Sequence, residues 1–293
     1  MPKLVLVSLK SFGDFVIACN ALRTLNLIFG SQQVSVLAGE HLYPLASALE
    51  AVSSIQFIAS GPSVPAIFDL KRWGAWDGLM SLLELRRQFS ALPKKDRLIF
   101  DRLGWREMCL AQGIPHAALP EAPNIYLAYE RVLLSAGFMQ PDRANPPRRV
   151  AQDCALGTAM IFPSSRISRK SVPSGVVRAL YKNLTGKGVP CEVVILEAED
   201  FDAPSGIPVR NIPRNFTSLI ETIRSASMVF SADSLPAHLA EYYQVPAFVI
   251  TPTPNAYWLP RSAFENRAWA LFSEIVDSNA LLARFLSRAG TGS

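Results

Sequence analysis

Short, uninterrupted apolar runs alternate with longer amphipathic stretches along most of this chain, and the rhythm breaks only once. Residues 4–9 (LVLVSL) read as a strand buried on both faces. Residues 14–27 then set Phe15, Ala18, Leu22 and Leu25 at helical spacing. The pattern continues with strands at 34–38, 54–58 and 97–100 and helices at 41–49 and 79–91. Residues 141–150 (PDRANPPRRV) have three prolines, four charges and no apolar period, and so read as a linker. The rhythm then restarts, with strands at 158–162, 191–196, 228–231 and 247–250. Helices alternate with them at 174–185, 216–225, 237–243 and 279–288. Strand, helix, strand in repetition demands a parallel sheet covered by helices on both faces. The expectation is therefore two doubly wound α/β domains, 1–145 and 146–293, with the last helix packing back on the first. Ligands of such sheets bind outside the carboxyl ends of the strands, so the cleft between the domains and the residues just after each strand are where chemistry is expected.

The length of 293 residues agrees with two domains, and 49% hydrophobic with 18% charged residues excludes a disordered chain. The four cysteines, Cys19, Cys109, Cys154 and Cys191, are far apart. Neither a zinc site nor a disulfide framework is indicated, and a reducing compartment fits. No run approaches the ~20 apolar residues of a membrane span. A cytoplasmic protein is expected, with any membrane contact peripheral. The net charge of +5 suits an acidic partner, but the basic residues form no long run and no nucleic-acid-binding motif is present.

Three segments carry candidate chemistry. After the first strand come Ser8-Leu9-Lys10-Ser11-Phe12-Gly13-Asp14, where Asp14 is either a helix cap or a carboxylate at the mouth of the cleft. After the first strand of the second half, Pro163 to Pro173 holds Ser164, Ser165, Arg166, Arg169 and Lys170, either an anion site or a solvated basic loop. Near 231, a strand ends and a helix opens through Asp233, Ser234, Leu235 and Pro236, with His238 one turn on. Backbone N–H groups at such a helix start favour a phosphate. His238 is read as either a structural or a site histidine.

Taken in order, these segments resemble the heptosyltransferase family of bacterial lipopolysaccharide synthesis, glycosyltransferase family nine. The resemblance runs from about residue 4 to 260. It rests on Gly13-Asp14, on Asp96, Ile99, Asp101 and Gly104, on Ser164-Ser165 with Lys170 and Pro173, and on Asp233-Ser234-Leu235-Pro236-Ala237-His238-Leu239-Ala240 followed by Pro252-Thr253. It implies a GT-B fold, with the two domains facing across a cleft. It also implies sugar transfer with inversion and without a metal or other cofactor, from a nucleotide-sugar donor such as ADP-heptose to a hydroxyl of an acidic glycan or glycolipid such as lipopolysaccharide core. Carried over residue by residue, Asp14 is the general base. Ser164, Ser165, Lys170, Asp233, Ser234, Leu235, Pro236 and His238 bind the donor, and Glu197 or Glu199 meets the ribose, Glu199 being preferred. Lys10, Ser11, Gly13 and Arg102 border the acceptor. The family's location implies peripheral contact at the inner face of the membrane.

Three departures stand out. Leu235 replaces a glycine, Thr251 replaces the glycine of Gly-Pro-Thr, and Ser8 replaces a basic residue. A left-handed backbone at Leu235 would cost roughly 1–2 kcal/mol. These departures keep open a transferase using another nucleotide sugar, an epimerase, and a weakened module that binds nucleotide or glycan without turnover.

Overall fold

The first apolar runs pair in parallel, as buried runs with helical crossovers must. The computed structural model describes residues 3–9, 11–29, 33–58, 75–138, 157–275 and 279–290. The first half runs β1 (Leu4–Ser8), α1 (Phe12–Phe29), β2 (Val34–Gly39), α2 (Tyr43–Ala48), β3 (Ile55–Ile58), α3 (Ala75–Ser90), β4 (Arg97–Phe100), α4 (Trp105–Leu110), β5 (His116–Ala118) and α5 (Ile125–Ser135). The second continues with β6 (Ala159–Phe162), α6 (Ser174–Thr185), β7 (Cys191–Leu196), β8 (Val209–Ile212), α7 (Phe216–Ser225), β9 (Met228–Ala232), α8 (Leu235–Tyr243), β10 (Ala247–Thr251), α9 (Arg261–Glu265), β11 (Trp269–Leu271) and α10 (Asn279–Gly290).

Every strand pair is parallel. The first sheet has the order β3-β2-β1-β4-β5 and the second β11-β10-β9-β6-β7-β8. In each, the chain starts in the middle, winds one way, and then crosses back to wind the other. The strand order therefore reverses between β1 and β4 and between β6 and β9, and a crevice opens there at the carboxyl ends. Contacts divide the chain into two units. One is Met1–Glu121 with Ala128–Pro146, the other Ala122–Leu127 with Pro147–Ser293. The segment 141–150, read as a linker, lies outside the described residues, as do Lys10 and Cys154.

Each sheet is the apolar layer its sequence specifies. All five residues of β1, β9 and β10 are buried, as are all four of β6. In unit 1, Phe89 of α3 stacks on Phe100 of β4 at 6.3 Å. In unit 2, Phe230 of β9, Phe248 of β10 and Phe285 of α10 form a triangle with ring centroids 5.5–5.9 Å apart. The last helix seats Leu282 and Phe285 in the core of the second unit. The reason is its apolar stripe, which completes the cover over β9 and β10. Helix 41–49 is resolved differently: a 3-10 turn at Glu40–Leu42 leads into α2, where Pro44 occupies the first turn, a position proline tolerates.

Phe230→Ala should lower the unfolding free energy by about 3–5 kcal/mol, because the ring's neighbours cannot all collapse into the space it leaves. Chemical denaturation of the full chain measures this directly.

Candidate functional site

In unit 1 the reversal lies between β1 and β4, and a pocket that opens to solvent lies there. Val7, Leu9, Phe100 and Leu110 supply its apolar wall. Ser8, Asp14, Asp101, Glu107 and Tyr129 supply its polar groups. Ser11 decides how Asp14 is used. Its hydroxyl accepts the Asp14 backbone N–H at 3.2 Å, and its carbonyl accepts the Phe15 N–H at 3.1 Å. Ser11 therefore caps α1, and Asp14 is the third helical residue, with its carboxylate in the pocket wall. An acidic group in this first turn is favoured by the helix dipole. Of the remaining residues named for the acceptor, Gly13 is the second residue of α1 and Arg102 is exposed next to Asp101. Neither lines the pocket.

The Asp96–Gly104 stretch divides by role. Buried Asp96 accepts the Lys3 backbone N–H at 3.0 Å, tying the start of β1 to that of β4, at the far end of the sheet from the pocket. Asp101, at the near end, accepts the Arg102 N–H at 2.9 Å and faces the pocket. Gly104 precedes α4, and its N–H is accepted by Glu107 at 3.0 Å. A Cβ at Gly104 would stand 2.8 Å from that carboxylate oxygen, so glycine keeps Glu107 in place. Ser8 closes β1. It is 5% exposed, and its hydroxyl has no hydrogen-bond partner among the described residues.

In unit 2 the reversal lies between β6 and β9, where two of the singled-out segments meet. Lys170, on a 3-10 turn at Ser168–Lys170, holds Asp233 with Nζ 2.6 Å from Oδ2. The Ser234 hydroxyl donates to the Ser164 carbonyl at 3.4 Å and to the Ala232 carbonyl at 3.3 Å. Ser165 is braced by Ser171, whose hydroxyl accepts the Ser165 N–H at 3.0 Å. Ser234 occupies the cap position of α8 in extended conformation without a side-chain capping bond, and Pro236 sits in the first turn. Leu235 is the first helical residue and is not among the residues with positive φ, so the left-handed strain considered from sequence does not arise. Thr251 is likewise accommodated: buried, its hydroxyl donates to the Thr253 carbonyl at 3.0 Å. Glu199, in the turn after β7, accepts the Leu196 N–H at 3.2 Å. Glu197 is exposed.

His238 is structural in its contacts. It is buried, and its Nδ1 shares a 3.0 Å hydrogen bond with the Tyr126 hydroxyl. Burial pulls its pKa down to about 4, with Asp233 opposing and Lys170 reinforcing the shift. Burial also holds Tyr126 well above its usual range, helped by Glu241. Asn124 donates to the carbonyls of Leu259 (2.9 Å) and Ala256 (3.3 Å) and accepts the Tyr126 N–H at 3.0 Å. Glu241, one turn beyond His238, accepts the Ser262 hydroxyl at 2.5 Å and its N–H at 3.1 Å, which fixes α8 against the start of α9. The sequence reading missed Tyr126 and Asn124. An asparagine just before an apolar helical pattern is a start signal that could have marked α5.

No family model matches the sequence, and no curated protein matches it. Solved structures share its fold. The Escherichia coli heptosyltransferase WaaC with ADP is 13% identical, with 98% of this chain and 99% of that one covered and a TM-score of 0.63. A glycosyl transferase family nine protein from Veillonella parvula is 13% identical over 100% and 98%, with a TM-score of 0.63. The E. coli ADP-heptose lipopolysaccharide heptosyltransferase II is 14% identical over 98% and 99%, with a TM-score of 0.57. The likeness is one of fold, and the fold is GT-B.

His238 stays neutral in the folded chain and takes up a proton on unfolding below about pH 6.5. Between pH 6.5 and about 4 the unfolded state therefore binds more protons, and stability should fall with pH by about 3 kcal/mol from this group. Glu241, raised by burial, works in the opposite sense. The readout is thus the difference between wild type and His238→Gln in denaturation series at pH 7 and pH 4.5. That difference should narrow at the lower pH.

Proposed function

We propose that this chain is a glycosyltransferase of the heptosyltransferase kind, transferring a heptose-like sugar from a nucleotide diphosphate to a hydroxyl of an acidic glycan such as lipopolysaccharide core. One observation supports the reading above the others. At the strand reversal of unit 2, a lysine, two serines and the first turn of a helix converge, a set suited to a diphosphate. The reversal of unit 1 carries a carboxylate suited to a hydroxyl. The WaaC structure holding ADP makes an adenine nucleotide the first donor to test.

In this reading unit 2 takes the donor, with its diphosphate at Lys170, Ser164, Ser165 and the N–H groups opening α8, and its ribose at Glu199. A diphosphate must then compete with Asp233 for Lys170. Asp14 accepts the proton of the acceptor hydroxyl as that oxygen bonds to the anomeric carbon. The bond from that carbon to the phosphate oxygen breaks, and its electron pair leaves with the diphosphate. Attack from the face opposite the leaving group inverts the centre. Charge grows on the leaving diphosphate during the step, so a fixed ammonium and aligned N–H groups stabilise the transition state more than the ground state. We assign that neutralising role to these groups rather than to a metal ion. The site of action is the cytoplasmic face of the membrane. A second reading, a module that binds nucleotide without turnover, rests on Leu235, whose side chain begins the helix that would meet the phosphates.

A thermal-shift series with ADP, UDP, GDP and CDP tests the donor site, since a ligand at 100 times its Kd adds ~2.7 kcal/mol. One base should stabilise the chain, and Lys170→Ala should weaken that response. No response to any of the four overturns the donor assignment. Asp14→Asn should lower turnover by ~10²–10⁴ while leaving nucleotide binding unchanged. Full turnover in that variant removes the general base, and binding without turnover in wild type selects the second reading.

A further inference from the structure

A hydroxyl buried against an imidazole decides which of the two ring nitrogens carries the proton. In unit 2 the Tyr126 hydroxyl lies 3.0 Å from His238 Nδ1, with the ring centroids 6.1 Å apart. Both residues are buried, and neither side chain has another hydrogen bond among the described residues. The phenol has one proton to place, and Nδ1 is the acceptor within its reach. Were Nδ1 the donor instead, the phenol proton would be buried without a partner, which costs free energy. A phenolate is no alternative, since burial pushes the Tyr126 pKa up. Nor is an imidazolium, since burial pulls that of His238 down to about 4. The phenol therefore donates to Nδ1, and the imidazole carries its proton on Nε2.

The phenol is itself held in place. Fully buried Asn124 accepts the Tyr126 N–H at 3.0 Å and donates to the carbonyls of Leu259 and Ala256. The turn that carries Tyr126 is thereby tied to the segment after β10. Stability alone gives no reason for a phenol and an imidazole here, because a buried polar pair exchanged for apolar groups of the same shape is nearly neutral. What the arrangement does fix is the polarity of Nε2. His238 stands one turn into α8, whose first N–H groups are assigned to the diphosphate, and it feels the charges of both Asp233 and Lys170. With its proton on Nε2 the ring offers a donor. The other tautomer would offer a lone pair, which repels a phosphate oxygen.

We propose that Tyr126 is a positioning residue of the donor site: its hydroxyl fixes His238 in the Nε2–H form, so that a neutral N–H donor meets the diphosphate beside Lys170. Tyr126 acts through His238 and does not itself touch the donor. The assignment rests on the donor half of the transferase reading. It adds a hydrogen bond to the diphosphate and leaves the charge balance of Lys170 and Asp233 as it is.

Two measurements on the full chain test it. The chain has three histidines, so long-range proton–nitrogen NMR spectra can separate their rings, and His238 is the one whose signals His238→Gln removes. Wild type should show the Nε2–H form. Tyr126→Phe, which removes only the hydroxyl, should show a mixture of tautomers. The second measurement is calorimetric titration with the nucleoside diphosphate that the thermal-shift series selects, run well below each variant's melting temperature. Tyr126→Phe should bind it ~10-fold or more weakly. His238→Gln should keep more of the wild-type affinity than His238→Asn, because a glutamine amide N–H reaches the position of Nε2 and an asparagine amide only that of Nδ1. A merely structural pair would lower the melting temperature and leave the affinity unchanged. An Nδ1–H ring in wild type overturns the proposal. So does wild-type affinity in Tyr126→Phe, or equal affinity in the two His238 variants, a comparison that decides the matter alone where Tyr126→Phe does not fold. A wild type that binds none of the four nucleotides overturns the donor reading and this proposal together, whereas unchanged binding by Tyr126→Phe overturns this proposal alone.

Discussion

A parallel strand covered by helices on both faces has no room for a charge. Burying an unpaired ionised group costs far more than a sheet can recover, so the strands here are valine, leucine, isoleucine, phenylalanine and alanine almost throughout. Polar chemistry is thereby expelled to the strand ends. At the carboxyl ends the reversal of strand order parts the crossover connections and leaves a crevice. Ser8, Asp14 and Asp101 gather at one such place, and Ser164, Lys170, Asp233 and Ser234 at the other. Both candidate sites follow from the same exclusion.

The central strands and their helices were legible because they repeat a strong period. Arg97–Phe100, Ser174–Thr185, Cys191–Leu196 and Phe216–Ser225 have the bounds their apolar patterns predict. Of the edge strands, β3 was legible, but β5, β8 and β11 were not. In β8 three of four residues are exposed, and β5 and β11 have three residues each, too few to display a period. Helix α4 was missed for a related reason. Its Trp105 and Met108 are exposed, so its sequence lacks the stripe that marks a helix lying on a core.

The sites were partly legible for the same physical reason. Residues directly after a buried run must sit at a strand end, and so Asp14, Lys170 and Asp233 could be placed before any coordinates. At Asp14, the neighbouring Ser11 hydroxyl takes the helix cap, and Asp14 itself lies in the pocket lining. The partners of His238 could not be read in this way. Tyr126 is 112 positions away, and only the winding of the chain brings the two together. Leu235 shows the converse: a substitution that looked strained is an ordinary first helical residue.

The second unit is not one continuous stretch of chain, because Ala122–Leu127 belongs to it. A fragment beginning at residue 147 would therefore lack the amide that satisfies the carbonyls of Ala256 and Leu259 and the phenol that pairs with His238. Three polar groups would lose these partners at once, and an unsatisfied buried one costs on the order of 1–3 kcal/mol. The second unit is thus not separable by a single cut. Any dissection or domain exchange must carry the short insert with it, as a graft rather than a truncation.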